Sequence, residues 1–200
     1  MNLFYRIARG IIYPFVRFLF NIKVIGLENF PLDRPFILAP NHISLSDPIF
    51  LAVICKKQIH FMSKMELFKI PVLKQIITWA GAFAVDRGKG DVGALNHARS
   101  LIAQKKVLGI FPEGKRYKTG APRMAKSGVA HIALDMKADI LPVSLYREGK
   151  FCIFKKTTIR FGKILTYNEL VDENATHRAN LKNITHTLTE KITELWEMKH

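Results

Sequence analysis

The sequence predicts an α/β fold: an open, mostly parallel mixed sheet flanked by helices, preceded by an amphipathic helix at the N-terminus. Three observations predict it. Short apolar runs bounded by turn residues alternate with stretches of helical spacing along the whole chain. One of those runs, VLGIF at 107–111, is continuously apolar, as in strands covered on both faces, which is a property of parallel sheets. The 200 residues are 48% apolar, enough for one core without covalent staples. The two cysteines, Cys55 and Cys152, lie far apart with no CxxC or His/Cys cluster, so neither a disulfide framework nor a metal centre is expected and a reducing compartment fits.

Residues 1–22, MNLFYRIARGIIYPFVRFLFNI, are apolar without reading as a membrane span. Arg6, Arg9 and Arg17 interrupt them, and the longest uncharged interior run, 10–16, falls far short of the ~20 residues a span needs. The same arginines invade the region that a signal peptide keeps apolar. On a helical wheel Arg6, Arg9, Tyr13 and Arg17 form a narrow polar stripe opposite Leu3, Phe4, Ile7, Ala8, Ile11, Ile12, Phe15, Phe18 and Leu19. That pattern fits a helix lying in the surface of an anionic bilayer, where apolar burial and arginine attraction reinforce one another. A core-packed helix whose arginines point to water is the alternative. The first acid of the chain is Glu28, which favours the bilayer.

Residues 23–200 are expected to form a single α/β domain. KVIGLEN at 23–29 and PFILAP at 35–40 read as strands, and Asp47 at a cap with Pro48 at the first helical position starts a helix over 48–56. Residues 59–64 (IHFMSK) read as a strand, 72–81 as a helix and 82–87 as a strand. A helix over 91–104 leads into the strand at 106–111, which breaks at PEGKRYKTG. Thereafter 127–137 is helical, ILPVSLY at 140–146 is a strand, 151–163 is a basic hairpin-like segment, and 174–199 has helical spacing. Ligands of open α/β sheets sit beyond the carboxyl ends of strands, and the loops NHISLSD, DRGKGD and PEGKRYKTG all follow strands.

Charge narrows the partners. Lys and Arg number 31 against 16 Asp and Glu, a formal charge of +15 that calls for something anionic: nucleic acid, a membrane surface or a phosphorylated substrate. The 14 phenylalanines lie in apolar contexts rather than interleaved with Lys and Arg, so no nucleic-acid partner is expected. Between Lys105 and Lys126 stand seven cations, Lys105, Lys106, Lys115, Arg116, Lys118, Arg123 and Lys126, with Glu113 the one acid. A solvated face explains a charge run as well, but Arg116 in the Pro-Glu-Gly turn and Arg87 after GAFAVD are placed for bidentate phosphate contacts. For Arg87 an ion pair with Asp86 or Asp91 is the alternative, and for Gly114 turn chemistry alone.

His42 and Asp47 can meet only if His42 lies in the loop and Asp47 in the first helical turn. An imidazole held by a carboxylate keeps one tautomer and gains basicity, which suits removal of a proton from a hydroxyl group. On these two residues alone, a loop histidine beside a helix cap is the simpler account. Ser44 and Ser46 flank the pair, but no Gly-x-Ser-x-Gly elbow exists, so covalent catalysis is not supported.

Four blocks in order resemble the glycerolipid acyltransferases. NHISLSD resembles their Asn-His-x4-Asp motif, GAFAVDR their second block, FPEGKRYKTG their Phe-Pro-Glu-Gly-Thr-Arg-Ser block, and ILPVSL their apolar-proline block; the likeness covers about 23–146. The resemblance implies that His42 is a general base with Asp47 as its orienting partner, and that Arg87, Glu113, Gly114 and Arg116 form an acceptor phosphate site. It further implies acyl transfer from acyl-CoA or an acyl carrier protein to lysophosphatidate, giving phosphatidate in phospholipid biosynthesis; glycerol 3-phosphate or another lysophospholipid as acceptor, and a non-enzymatic membrane-surface lipid-binding protein, are the alternatives. No other cofactor is expected, and the expected location is peripheral, on the cytoplasmic face of the cell membrane. Lys115 and Tyr117 replace the family's Thr and Ser and add charge and bulk. Lys126, or Lys155, Lys156 and Arg160, are candidates for the donor's phosphates.

Overall fold

The computed structural model describes residues 3–85, 92–117, 121–147 and 156–198. In chain order the elements are α1 (Leu3–Phe20), β1 (Ile22–Ile25), β2 (Phe36–Pro40), α2 (Asp47–Ile54), β3 (Ile59–Lys64), α3 (Pro71–Trp79), β4 (Phe83–Val85), α4 (Val92–Ala103), β5 (Val107–Gly109), α5 (Ser127–Met136), β6 (Ile140–Arg147), β7 (Thr157–Phe161), α6 (Tyr167–Leu170) and α7 (His177–Glu197). The expected alternation is present. Short 3-10 turns at Leu27–Asn29 and Met65–Lys69, and α6, are additions too brief for periodicity to reveal.

The strands form one sheet in the order β1-β7-β6-β2-β5-β3-β4. Every neighbouring pair is parallel except β6 and β7, so β1 and β7 run against the other five. Of the basic segment 151–163, read as hairpin-like, the described part forms the single strand β7, paired antiparallel with β6, and residues 148–155 lie outside the described residues. Parallel strands need helical crossovers, and those crossovers cover both faces. On one face α2 packs through Phe50, Leu51, Val53 and Ile54 onto Phe36, Leu38, Leu141 and Val143. On the other, α4, α5 and α7 pack onto Ile37, Ala39, Leu108 and Ile140. The stripe Ile184, Leu188 and Ile192 of α7, four residues apart, is what its helical spacing foreshadows.

Handedness places α3. The β2-α2-β3 and β3-α3-β4 crossovers advance in the same direction across the sheet, so one right-handed rule puts α3 on the same side as α2. Thus α1, α2 and α3 occupy one layer and α4, α5 and α7 the other.

Helix α1 runs through Pro14 and docks on α2. Tyr5 and Val16 are buried, the Phe20 ring lies 5.0 Å from that of Phe50, the Tyr5 hydroxyl donates to Ala52 O at 2.7 Å, and Arg9 Nε donates to Val53 O at 2.8 Å. Arg9 therefore serves the protein interior, and Arg6 and Arg17 remain from the expected polar stripe. The apolar face is turned out: Ile7, Ile11, Phe15 and Phe18 are 54–75% exposed. Helix α1 is thus core-packed along one side, with Arg6 and Arg17 exposed, and leaves most of its apolar face uncovered. Among the described residues no helix is long and apolar enough to cross a membrane.

Candidate active site

Strand β2 ends at Pro40, and the chain crosses to α2 through residues 41–46 at the carboxyl end of the sheet. Asn41 keeps the crossing attached. Its backbone N–H donates to Val143 O, its side-chain amide donates to Leu145 O at 3.0 Å, and its Oδ1 accepts from Leu145 N at 2.6 Å. The side chain thus imitates one more residue of the strand ladder and sets where His42 begins.

His42 Nδ1 lies 2.9 Å from Asp47 Oδ2, and that same oxygen accepts the backbone N–H groups of Ile43 (2.8 Å) and Ser44 (2.7 Å). Asp47 was expected at a helix cap, but helix α2 begins with Asp47 itself after Ser46, and no side-chain cap bond forms. The carboxylate instead turns back into the loop and closes it around the imidazole. With a carboxylate as acceptor, Nδ1 carries the proton and Nε2 keeps its lone pair. The imidazole also stacks on Phe111 (centroids 3.8 Å, 22°), and Phe111 stacks on Phe61, so ring orientation is fixed from the side as well. Asp47 is fully buried and His42 8% exposed. The Ser44 and Ser46 hydroxyls bond to each other at 2.9 Å.

The turn after β5 clasps the same histidine. Tyr117 N donates to His42 O at 2.8 Å, while the Glu113 carboxylate accepts the Arg123 backbone N–H through Oε1 at 3.4 Å and lies within electrostatic reach of the backbone N–H of His42. Glu113 is 3% exposed; burial pushes its pKa up to about 7, against those two backbone donors. Gly114 adopts φ +74°, a backbone conformation that calls for glycine, and a Cβ there would meet only the flexible end of Lys126, Cδ and Cε at 3.0 Å. Lys126 therefore lies across the turn. Arg116 and Lys115 are exposed, and the Tyr117 ring receives Lys115 Nζ at 5.1 Å and the Arg123 guanidinium at 5.5 Å.

The structure thus brings His42, Asp47, Glu113, Gly114, Arg116 and Lys126 together. The Glu113 carboxylate is buried beside the His42 loop. Arg87 lies outside the described residues. Lys105 and Lys106 precede β5 and sit at the opposite end of the sheet, so they leave the cationic window. Arg160 is buried within β7, opposite Ile25 and Ser144, rather than presented to a ligand.

Three residues escaped the sequence reading. Asn41 and Phe111 sit inside the quoted blocks, but their roles depend on long-range partners. Arg147, at the end of β6, donates from Nε to Thr157 Oγ1 at 2.9 Å, with its guanidinium 6.0 Å from the Phe50 ring. Burial lowers its pKa and the Asp47 charge opposes that, which puts a cation within electrostatic reach of the pair. A cation two residues after the apolar-proline block was the available signal.

Known proteins resemble this chain over most of its length. The 1-acyl-sn-glycerol-3-phosphate acyltransferase of Bacillus subtilis is 31% identical over 180 residues, 87% of each chain. That of Borreliella burgdorferi is 28% identical over 88% of this chain and 72% of its own. The crystal structure of the 1-acyl-sn-glycerophosphate acyltransferase PlsC from Thermotoga maritima superposes with a TM-score of 0.66 at 25% identity, over 88% of this chain and 73% of that one. The family model described as Acyltransferase matches residues 21–146, the span that carries both the His42 loop and the Glu113 turn. With so much of the chain accounted for, it belongs to the acyltransferase family.

Proposed function

We propose that the protein is a 1-acyl-sn-glycerol-3-phosphate acyltransferase, transferring a fatty acyl group from acyl-CoA or an acyl carrier protein to lysophosphatidate and giving phosphatidate. One observation carries the reading: a buried His42–Asp47 pair directly joined to an exposed cationic turn. Arg116 and Lys126, with Arg87, hold the acceptor's phosphate. Nε2 of His42 takes the proton of the free hydroxyl while the oxygen attacks the thioester carbonyl. The tetrahedral adduct collapses by breaking the C–S bond, and the leaving thiolate receives the proton from the imidazolium. Positioning and general base catalysis share the work, and no acyl-enzyme forms. Glu113 and Asn41 hold the backbone on either side of the base.

The acceptor is a lipid, and α1 supplies the means of meeting it. Its exposed apolar face enters the headgroup boundary of an anionic leaflet, with Arg6 and Arg17 at the margin. Purified protein in mixed micelles, offered lysophosphatidate, glycerol 3-phosphate and a choline lysophospholipid with each donor type, tests the whole reading. Turnover of lysophosphatidate with single-exponential product formation is expected. A pre-steady-state burst of released thiol would mark an acyl-enzyme and overturn the direct mechanism, and preference for an acceptor without a terminal phosphate would overturn the acceptor.

A further inference from the structure

Helix α3 and the Met65–Lys69 turn before it contain no buried residue, and neither apolar core includes any residue of the helix. Its apolar residues are nevertheless arranged as a face. Val72, Ile76 and Trp79, at spacings of four and three, are 70%, 51% and 50% exposed, and Ile70 just before them is 53% exposed. A nine-residue helix with no core behind it is marginal in water, so a cover for this face is needed.

We infer that α3 is a second bilayer contact, resting on the reading of α1 as a membrane-surface helix and extending it. The argument is one of placement and chemistry. Helix α3 shares its layer with α1 and α2, whose outer surfaces also show apolar side chains, Ile49 of α2 being 51% exposed. Lys69 stands exposed just before α3 and Lys74 on the flank of the helix away from Val72 and Ile76, and the one acid between residues 64 and 80, Glu66, is paired with Lys64 at 2.8 Å. An exposed indole on a short helix that also carries long-stemmed lysines suits the boundary between acyl chains and anionic headgroups. A second copy of the chain would bring another +15 against these lysines, and an acidic soluble partner would match the lysines but leave the apolar face uncovered. The molecule therefore rests on the membrane along three helices, with the His42 loop at the carboxyl end of that layer.

Trp79 is one of two tryptophans; the other, Trp196, packs on Tyr146. In the full chain carrying Trp196→Phe, Trp79 emission should shift to the blue on adding vesicles of phosphatidylcholine and phosphatidylglycerol, and should be quenched by lipids brominated on their acyl chains. In the otherwise native chain, the pair Val72→Glu and Ile76→Glu should weaken vesicle partitioning by about tenfold or more, since two large aliphatic side chains lose their burial. Flotation of the protein with Trp79 unquenched, or undiminished partitioning of the double variant, overturns the role of α3 while leaving that of α1. A blue shift that follows protein concentration without vesicles overturns it in favour of self-association. Failure of the native chain to float at all overturns the membrane reading itself, and α3 with it.

Discussion

The loop of His42 and the turn of Arg116 touch one another, yet they are built on opposite terms. Around His42 the protein supplies the partners: Asp47 and Phe111 for the ring, Glu113 and Tyr117 for the backbone, β6 for Asn41. Around Arg116 it supplies cations and leaves them in solvent. A group whose work lies in the transition state gains from being fixed before substrate arrives. A group that recruits a charged ligand gains from being reachable. The difference teaches where each half should show itself, in kcat for the first and KM for the second.

The sharpest way to break this division is His42→Ala, for which acyl transfer should fall by about 10²–10⁴-fold while circular dichroism and vesicle binding persist. Retained turnover would remove the base. Arg116→Ala should raise KM for lysophosphatidate by about tenfold with kcat nearly unchanged, and the native KM should climb with salt; a fall in kcat alone would put Arg116 on the fixed side. Asn41→Ala leaves the Leu145 N–H and C=O without their side-chain partners and should lower stability by about 1–3 kcal/mol in urea unfolding, as the fixed half requires.

Glu113 gives the smallest effect and a pH signature. Its pKa in the fold, about 7, lies above its ordinary value of 4.5, so between these values the folded state holds a proton the unfolded chain has lost. Stability therefore declines as pH rises from 4.5 through 7, and the loss is complete above that. Comparing urea midpoints of native protein and Glu113→Gln across pH 4.5–8 should show the native curve falling relative to the variant. Parallel curves would mean that the carboxyl is not the buried acid described.

The architecture was legible because its causes are local and repetitive: apolar runs for β2, β5 and β6, wheel periodicity for α1 and α7, loops at strand ends. The site was legible as residue types in order. What escaped depends on distance along the chain. Asp47 looked like a cap, since a carboxylate before an apolar helix normally is one; only the fold shows it turning back to Ile43 and Ser44. Glu113 reads as part of a cationic loop, and only the fold shows its carboxylate buried beside the loop of His42, 71 positions away. Lys105 and Lys106 joined the cationic window because sequence proximity ignores the strand that separates them from Arg116. The direction of the α1 apolar face could not be read either, because a wheel says which residues share a side and not which side meets the body.

The contacts of Tyr5 and Arg9 change what an N-terminal truncation would mean. Ala52 and Val53 lie in the last turn of α2, where carbonyls lack helical partners, and it is α1 that supplies donors to both. Helix α1 and the helix that opens with Asp47 are thus a single cooperative unit. Trimming the chain to obtain a more soluble enzyme would leave those carbonyls bare and strip Phe50 of Phe20, loosening from its far end the scaffold on which the base is aimed. A silent truncated protein would report a disordered scaffold and say nothing about whether catalysis itself requires a membrane.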